Sequence, residues 1–130
     1  RDRSAERGAA ALPGGGGTPL GAAIAAAGQL ADSVRRSGAS PLVVLFTDGR
    51  ANVARDGAQG RAAGEADATA AARAFAQLGV GALLVDTSPR PAPLAAEVAT
   101  ALAASYLALP YADSQTLALA VQQAQRREAA

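Results

Sequence analysis

Two residues of this chain have the types and the setting to bind a cation together. Thr18 closes the glycine run Gly14-Gly15-Gly16-Gly17-Thr18-Pro19, and Asp48 ends the apolar run Leu42-Val43-Val44-Leu45-Phe46-Thr47. A hydroxyl and a carboxylate are hard oxygen donors, the kind that magnesium and calcium prefer. Each residue also has a plainer use: Thr18 suits a helix N-cap, and Asp48-Gly49 suits a turn after a strand. The shared-site reading therefore depends on whether the fold brings them to one place.

Composition removes most competing chemistry. The chain has no His and no Cys, so imidazole and thiolate sites for zinc, copper or iron–sulfur clusters are excluded, as are a Ser-His-Asp triad, a Cys-His dyad and any disulfide. All 12 basic residues are Arg, so the glycine run has no lysine to reach a nucleotide's phosphates as a P-loop does. Net charge is +1, and two Tyr and two Phe are too few for a stacking platform, so nucleic acid is not an expected partner. Apolar runs are interrupted well short of the ~20 residues that span a bilayer. The 130 residues fit one modest domain. They start at Arg1 with no Met and no signal-like stretch, so a piece of a longer protein is expected, with residues 1–11 a poorly defined lead-in and 12–127 the core.

The elements that must position Thr18 and Asp48 follow from periodicity. From Pro19 to about Arg36, Leu20, Ile24, Ala27, Leu30, Ala31 and Val34 recur at helical spacing, with Thr18 as N-cap, Pro19 in the first turn and Gly38 at the exit. Leu42 to Thr47 reads as a parallel strand covered on both faces. Arg50 to Gly64 reads as a loop, Glu65 to Leu78 as a helix with Ala71, Phe75 and Leu78 on one face, and Val80 to Val85 as a second buried strand ending at Asp86. Pro89 and Pro91 keep the next turn out of a helix; a helix from about Ala92 to Ala103 follows, with Leu94, Val98 and Leu102 spaced by four. Ser105 to Leu109 reads as a weaker strand, and Asp113 as the cap of a last helix through about Arg127.

This alternation predicts an α/β fold: an open parallel sheet with helices on both faces and right-handed crossovers. A helix of about 18 residues rises ~27 Å and a strand of six returns ~20 Å, so the helix N-terminus and strand C-terminus share a rim. Open α/β sheets bind ligands at that rim. Asp86, Thr87 and Ser88 belong to it too, either as contacts to a partner or a metal-bound water or as a strand-ending turn. Arg50 and Asn52 beside Asp48 are candidates to orient a partner carboxylate. Arg55, Asp56, Arg61, Glu65 and Asp67 read as a solvated patch of mixed charge.

Three segments, Leu12 to Leu20, Thr47 to Ala54 and Asp86 to Pro91, resemble in order the von Willebrand factor A (integrin-I-like) domain that ends the D subunits of magnesium chelatases. The resemblance covers roughly residues 10 to 125. In that family a metal-ion-dependent adhesion site combines an Asp-x-Ser-x-Ser sequence after the first strand, a Thr in a later loop and an Asp after the fourth strand. Thr18 and Asp48 match the last two. Asp2 and Ser4 have the first spacing, but Glu6 stands where the second Ser belongs, and no apolar strand precedes them. The resemblance thus implies a truncated domain whose three strands are the fourth to sixth of the family sheet, with an apolar edge left open beside Leu42 to Thr47.

The resemblance also implies a function. The metal ligands would be Thr18 and Asp48, with Gly16, Gly17, Gly49, Arg50, Asn52 and Asp86 around them for partner binding or support. The cofactor would be Mg2+, weakly bound in so short a chain. The partners would be the AAA+ I subunit and the porphyrin-carrying H subunit of a ligase that inserts Mg2+ into protoporphyrin IX with ATP, on the route to chlorophyll and bacteriochlorophyll. Such a chain would be non-catalytic itself and would sit in a bacterial cytoplasm or a plastid stroma. The alternative from the residues alone is a piece of a doubly wound α/β enzyme whose glycine run binds phosphate or nucleotide at a helix N-terminus.

Overall fold

The computed structural model describes residues 19–48, 57, 59–90, 93–109 and 114–129. Along these the elements are α1 (Leu20–Arg36), β1 (Leu42–Thr47), α2 (Arg61–Ala76), β2 (Gly81–Asp86), α3 (Pro93–Leu102), β3 (Ser105–Ala108) and α4 (Ser114–Ala129). The strands form one parallel sheet in the order β1-β2-β3, with β1 and β2 in register from Leu42↔Gly81 to Thr47↔Asp86. The expected α/β architecture is present.

A strand order that advances in one direction puts both right-handed crossovers on the same face. Accordingly α1, α2 and α3 share one core with the inward side chains Leu45, Ala82 and Leu84. Helix α4 returns across the other face and packs Ala124, with Leu117, Ala120 and Val121, on Leu83 and Val85. Alternation along β2 explains how one strand serves two cores: Ala82 and Leu84 point one way, Leu83 and Val85 the other.

Alanine abundance has a packing consequence. On α1 the buried stripe is Leu20, Ala23, Ile24, Ala27 and Ala31, with Gly21 and Gly28 also buried. A methyl group at Gly28 would come within 3.2 Å of Leu78 and 3.3 Å of Phe75, so α1 and α2 approach closely because the residue between them has no side chain. Leu30, placed on the inner face by its spacing, is instead exposed. Small residues at the contact bring the helices together without it.

The helix ends differ from expectation in two places. Helix α1 begins at Leu20 with Pro19 as N-cap and no side-chain cap; Thr18 lies outside the described residues. Helix α2 begins at Arg61 rather than Glu65, because Gly60, at φ 109°, accepts the N–H of Gly64 in the first turn. An Arg61–Glu65 ion pair at 3.1 Å spans that turn. Gly64, which argues against a helix in a sequence, is buried in this one. At the far end of α1, Gly38 at φ 97° stops the helix as expected, its N–H bonding to Arg35. The remaining bounds fall within about two residues of the expected ones. Asp113 lies outside the described residues.

Strand β1 is covered less completely than expected, its two faces unequally. Among the described residues it has only β2 beside it, Leu42, Val43 and Val44 are half-buried, and Phe46 is 52% exposed on the face that α4 covers incompletely. Among the described residues β1 is an edge strand, and such an edge beside an exposed aromatic side chain favours self-association. The chain is expected to show concentration-dependent association by analytical ultracentrifugation, and Phe46→Glu to weaken it while the circular-dichroism spectrum stays the same. A chain that remains monomeric at high concentration, or a variant that associates equally, contradicts this reading.

Candidate functional site

The rim at the carboxyl ends of β1 and β2 is assembled by hydrogen bonds between residues that are distant in sequence. Because β1 and β2 end together, Thr47 lies beside Asp86 and the chain leaves both strands at the same level. The N–H and the hydroxyl of Thr87 both donate to the Thr47 carbonyl, at 2.8 and 3.1 Å. One residue further on, the Ser88 hydroxyl reaches the Asp48 carbonyl. The exit from β1 is therefore held at two consecutive carbonyls by two consecutive residues after β2.

Asp86 organises this arrangement. It is 0% exposed, and its carboxylate accepts the Ser88 N–H at 2.9 Å and faces the Ser88 hydroxyl at 2.5 Å. A carboxylate bonded to the N–H two residues on is an Asx turn, which bends the chain after β2 and turns Ser88 inward. The other carboxylate oxygen accepts the Tyr106 hydroxyl from β3 at 2.9 Å. The Asp86 carbonyl accepts the N–H of Leu109, at 2.7 Å, where β3 ends. Burying a carboxylate is costly unless its oxygens are hydrogen-bonded, and here both are. No buried side-chain nitrogen or oxygen among the described residues lacks a partner.

Tyr106 carries the main electrostatic consequence. Desolvation of the hydroxyl comes first, and the hydrogen bond to Asp86 and its negative charge add to it; together they push the phenol up to about 12. The residue remains 37% exposed, while the hydroxyl is turned onto Asp86. The neutral phenol is favoured in the folded state. Its contribution to stability is therefore complete below the unfolded value near 10 and is lost as pH rises through about 12. A difference absorbance titration of the native protein against Tyr106→Phe is expected to isolate one phenol ionising near pH 12. A difference centred near pH 10 would show that the hydroxyl is not held as described.

Asp48 itself is exposed at the rim, immediately after β1. Helix α1 runs back along the sheet from this end, and its 17 residues at about 1.5 Å each exceed the length of β1, so its N-terminus lies at the same rim. Thr18, Gly16, Gly17, Gly49, Arg50 and Asn52 lie outside the described residues. Asp86 has no exposed surface to offer a partner; it holds the two strand exits together. Among the described residues no group of three or more acidic, His or Cys side chains is assembled. The donor chemistry at Asp48 suits a hard cation that keeps much of its water, and nothing nearby in this composition suits a softer metal.

Two contributors were not legible as such. Asp67, grouped above with a solvated patch, packs its carboxylate against the first turn of α1: a methyl group built on Gly21 would lie 2.1 Å from an Asp67 oxygen. Its negative charge thus sits at the positive end of a helix that has no acidic residue in its own first turn. The only sequence signal is Gly21 in an otherwise good helix. Tyr106 had no signal beyond being a rare aromatic residue in a short strand.

Comparison with known proteins bears on what this rim serves. No family profile and no solved structure matches the chain. The chain is 45% identical over 108 residues to the magnesium-chelatase 60 kDa subunit of Cereibacter sphaeroides, and 41% identical over 107 residues to that of Rhodobacter capsulatus. Most of this chain is similar to part of a magnesium-chelatase subunit. The similarity covers 83% and 82% of this chain but 19% of each relative, so the chain spans about a fifth of the length of the curated relatives it matches. No helix among the described residues is long and apolar enough to cross a membrane.

Proposed function

We propose that this chain is a metal-dependent interaction module of a magnesium chelatase, the von Willebrand factor A-type part of its D subunit. The observation that carries the reading is the similarity of 83% of the chain to a magnesium-chelatase subunit. Asp48 at the carboxyl end of a parallel strand, where α/β sheets present ligand-binding residues, supports it. In this reading the protein assembles with the I and H subunits and supports the ATP-dependent insertion of Mg2+ into protoporphyrin IX, towards chlorophyll or bacteriochlorophyll. The chain contributes assembly and coupling, not bond-making.

Asp48 and Thr18 would hold a resident Mg2+ as a carboxylate and a hydroxyl donor, with water and further oxygen donors completing the shell. When bound, that ion supplies a positive charge to which a partner's carboxylate can attach; it is separate from the Mg2+ that is the substrate of the chelatase. Asp48 presents its carboxylate at the rim, and the fixed carbonyls of Thr47 and Asp48 limit how far it can move. Arg50 and Asn52 are placed by sequence to orient the incoming carboxylate.

Calorimetry on the complete polypeptide as encoded by its gene tests this. Mg2+ binding is expected to be lost in Asp48→Ala, and Mg2+-dependent association with the AAA+ subunit to be lost with it. Phosphate or nucleotide binding that persists in Asp48→Ala, in a protein that binds no Mg2+, would instead favour the glycine run as a phosphate site.

A further inference from the structure

We propose that Tyr106, Asp86 and Ser88 form a clamp across the three strand ends that sets the position of Asp48, so that Ser88 and Tyr106 are positioning residues for the rim carboxylate. The inference rests on the reading of Asp48 as a metal ligand, but its structural half can be tested without that reading.

The clamp is a continuous chain of hydrogen bonds. It starts on β3 with the Tyr106 hydroxyl, passes through both oxygens of Asp86 on β2, continues through the Ser88 N–H that Asp86 accepts, and ends with the Ser88 hydroxyl donating to the carbonyl of Asp48 beyond β1. A strand-ending aspartate needs only an exposed turn. This one is buried completely, and Ser88 is buried with it. The Ser88 hydroxyl has one proton for two acceptors, the Asp86 carboxylate and the Asp48 carbonyl. When that proton serves Asp48, the Ser88 N–H still ties the residue to Asp86, and Tyr106 in turn holds Asp86. Thr87 holds the neighbouring carbonyl of Thr47 independently, so losing the clamp loosens Asp48 without releasing β1.

This arrangement matters because a cation with a strict geometry tolerates little displacement of its donors. An exposed carboxylate on a free loop would have to be ordered when the ion binds, and that ordering would weaken the affinity. A backbone already held at Thr47 and Asp48 avoids most of it.

The test uses the complete polypeptide with Ser88→Ala, Ser88→Thr and Tyr106→Phe, read by amide hydrogen exchange and by Mg2+ calorimetry beside Asp48→Ala. Ser88→Ala is expected to raise exchange at residues 47 and 48 about tenfold, with the β2 amides unchanged, and to weaken Mg2+ binding about tenfold. Tyr106→Phe is expected to act in the same direction and less strongly, and Ser88→Thr, which keeps the hydroxyl, to stay within about twofold of the native protein. If exchange at residues 47 and 48 does not change in Ser88→Ala, the clamp is overturned. If that exchange rises while Mg2+ affinity is unaffected, and Asp48→Ala still abolishes binding, the positioning role is overturned. If Asp48→Ala itself leaves Mg2+ binding intact, the metal reading above fails, and the exchange data alone decide the clamp. A uniform loss of protection across the sheet in Ser88→Ala would mark a purely structural role and also overturn the proposal.

Discussion

Asp86 is a carboxylate buried at the end of the central strand, and the rest of the rim is organised by the need to satisfy it. A group of this kind in an apolar interior demands hydrogen bonds to both oxygens. Tyr106 supplies one from β3, and the turn after β2 supplies another through the Ser88 N–H. Satisfying Asp86 thus fixes the turn, and the turn fixes the exit from β1 through Thr47 and Asp48. Three strand ends are held together by polar contacts where side-chain burial alone would leave them free to splay.

Below the rim the forces are different. The sheet is a narrow one, and its central strand supplies inward residues to both cores. Leu83, Leu84 and Val85 are almost completely buried, so β2 stands at the centre of the apolar burial as well as of the polar network. The helices on the larger face are alanine-rich and meet at close range, with Gly21 and Gly28 leaving room for Asp67, Phe75 and Leu78. Close approach of small residues replaces the interlocking of large ones. The outer strands are less well served: Phe46 on β1 and Tyr106 on β3 are the exposed aromatic residues of the sheet.

The similarity to magnesium-chelatase subunits covers most of this chain and a small part of those proteins. Among the described residues, β1 has one strand neighbour and a half-exposed face. A parallel strand with the composition of Leu42 to Thr47 is suited to burial on both faces. The structure therefore combines a complete polar rim at β2 with an apolar strand at its edge.

Much of the fold was legible in the sequence because period and punctuation agreed there. Leu42 to Thr47 was placed to the residue, Gly38 and Gly79 marked helix exits, and the alternation of elements implied the parallel sheet. The start of α2 was not legible, since Gly64 argues locally against a helix that tertiary packing makes favourable. At the candidate site, types and order singled out Asp48 and the Asp86-Thr87-Ser88 turn, while Thr18 lies outside the described residues. What only the tertiary structure decided was the function of each rim residue. Strand register sets Thr47 beside Asp86, burial turns Asp86 from a surface aspartate into an anchor, and Tyr106, Ser88 and Asp67 acquire partners 20 to 46 positions away or on another element. Periodicity reports which face a residue occupies within its own element. Which groups meet across elements depends on register and on the balance of buried polar atoms, and neither is a local property of the chain.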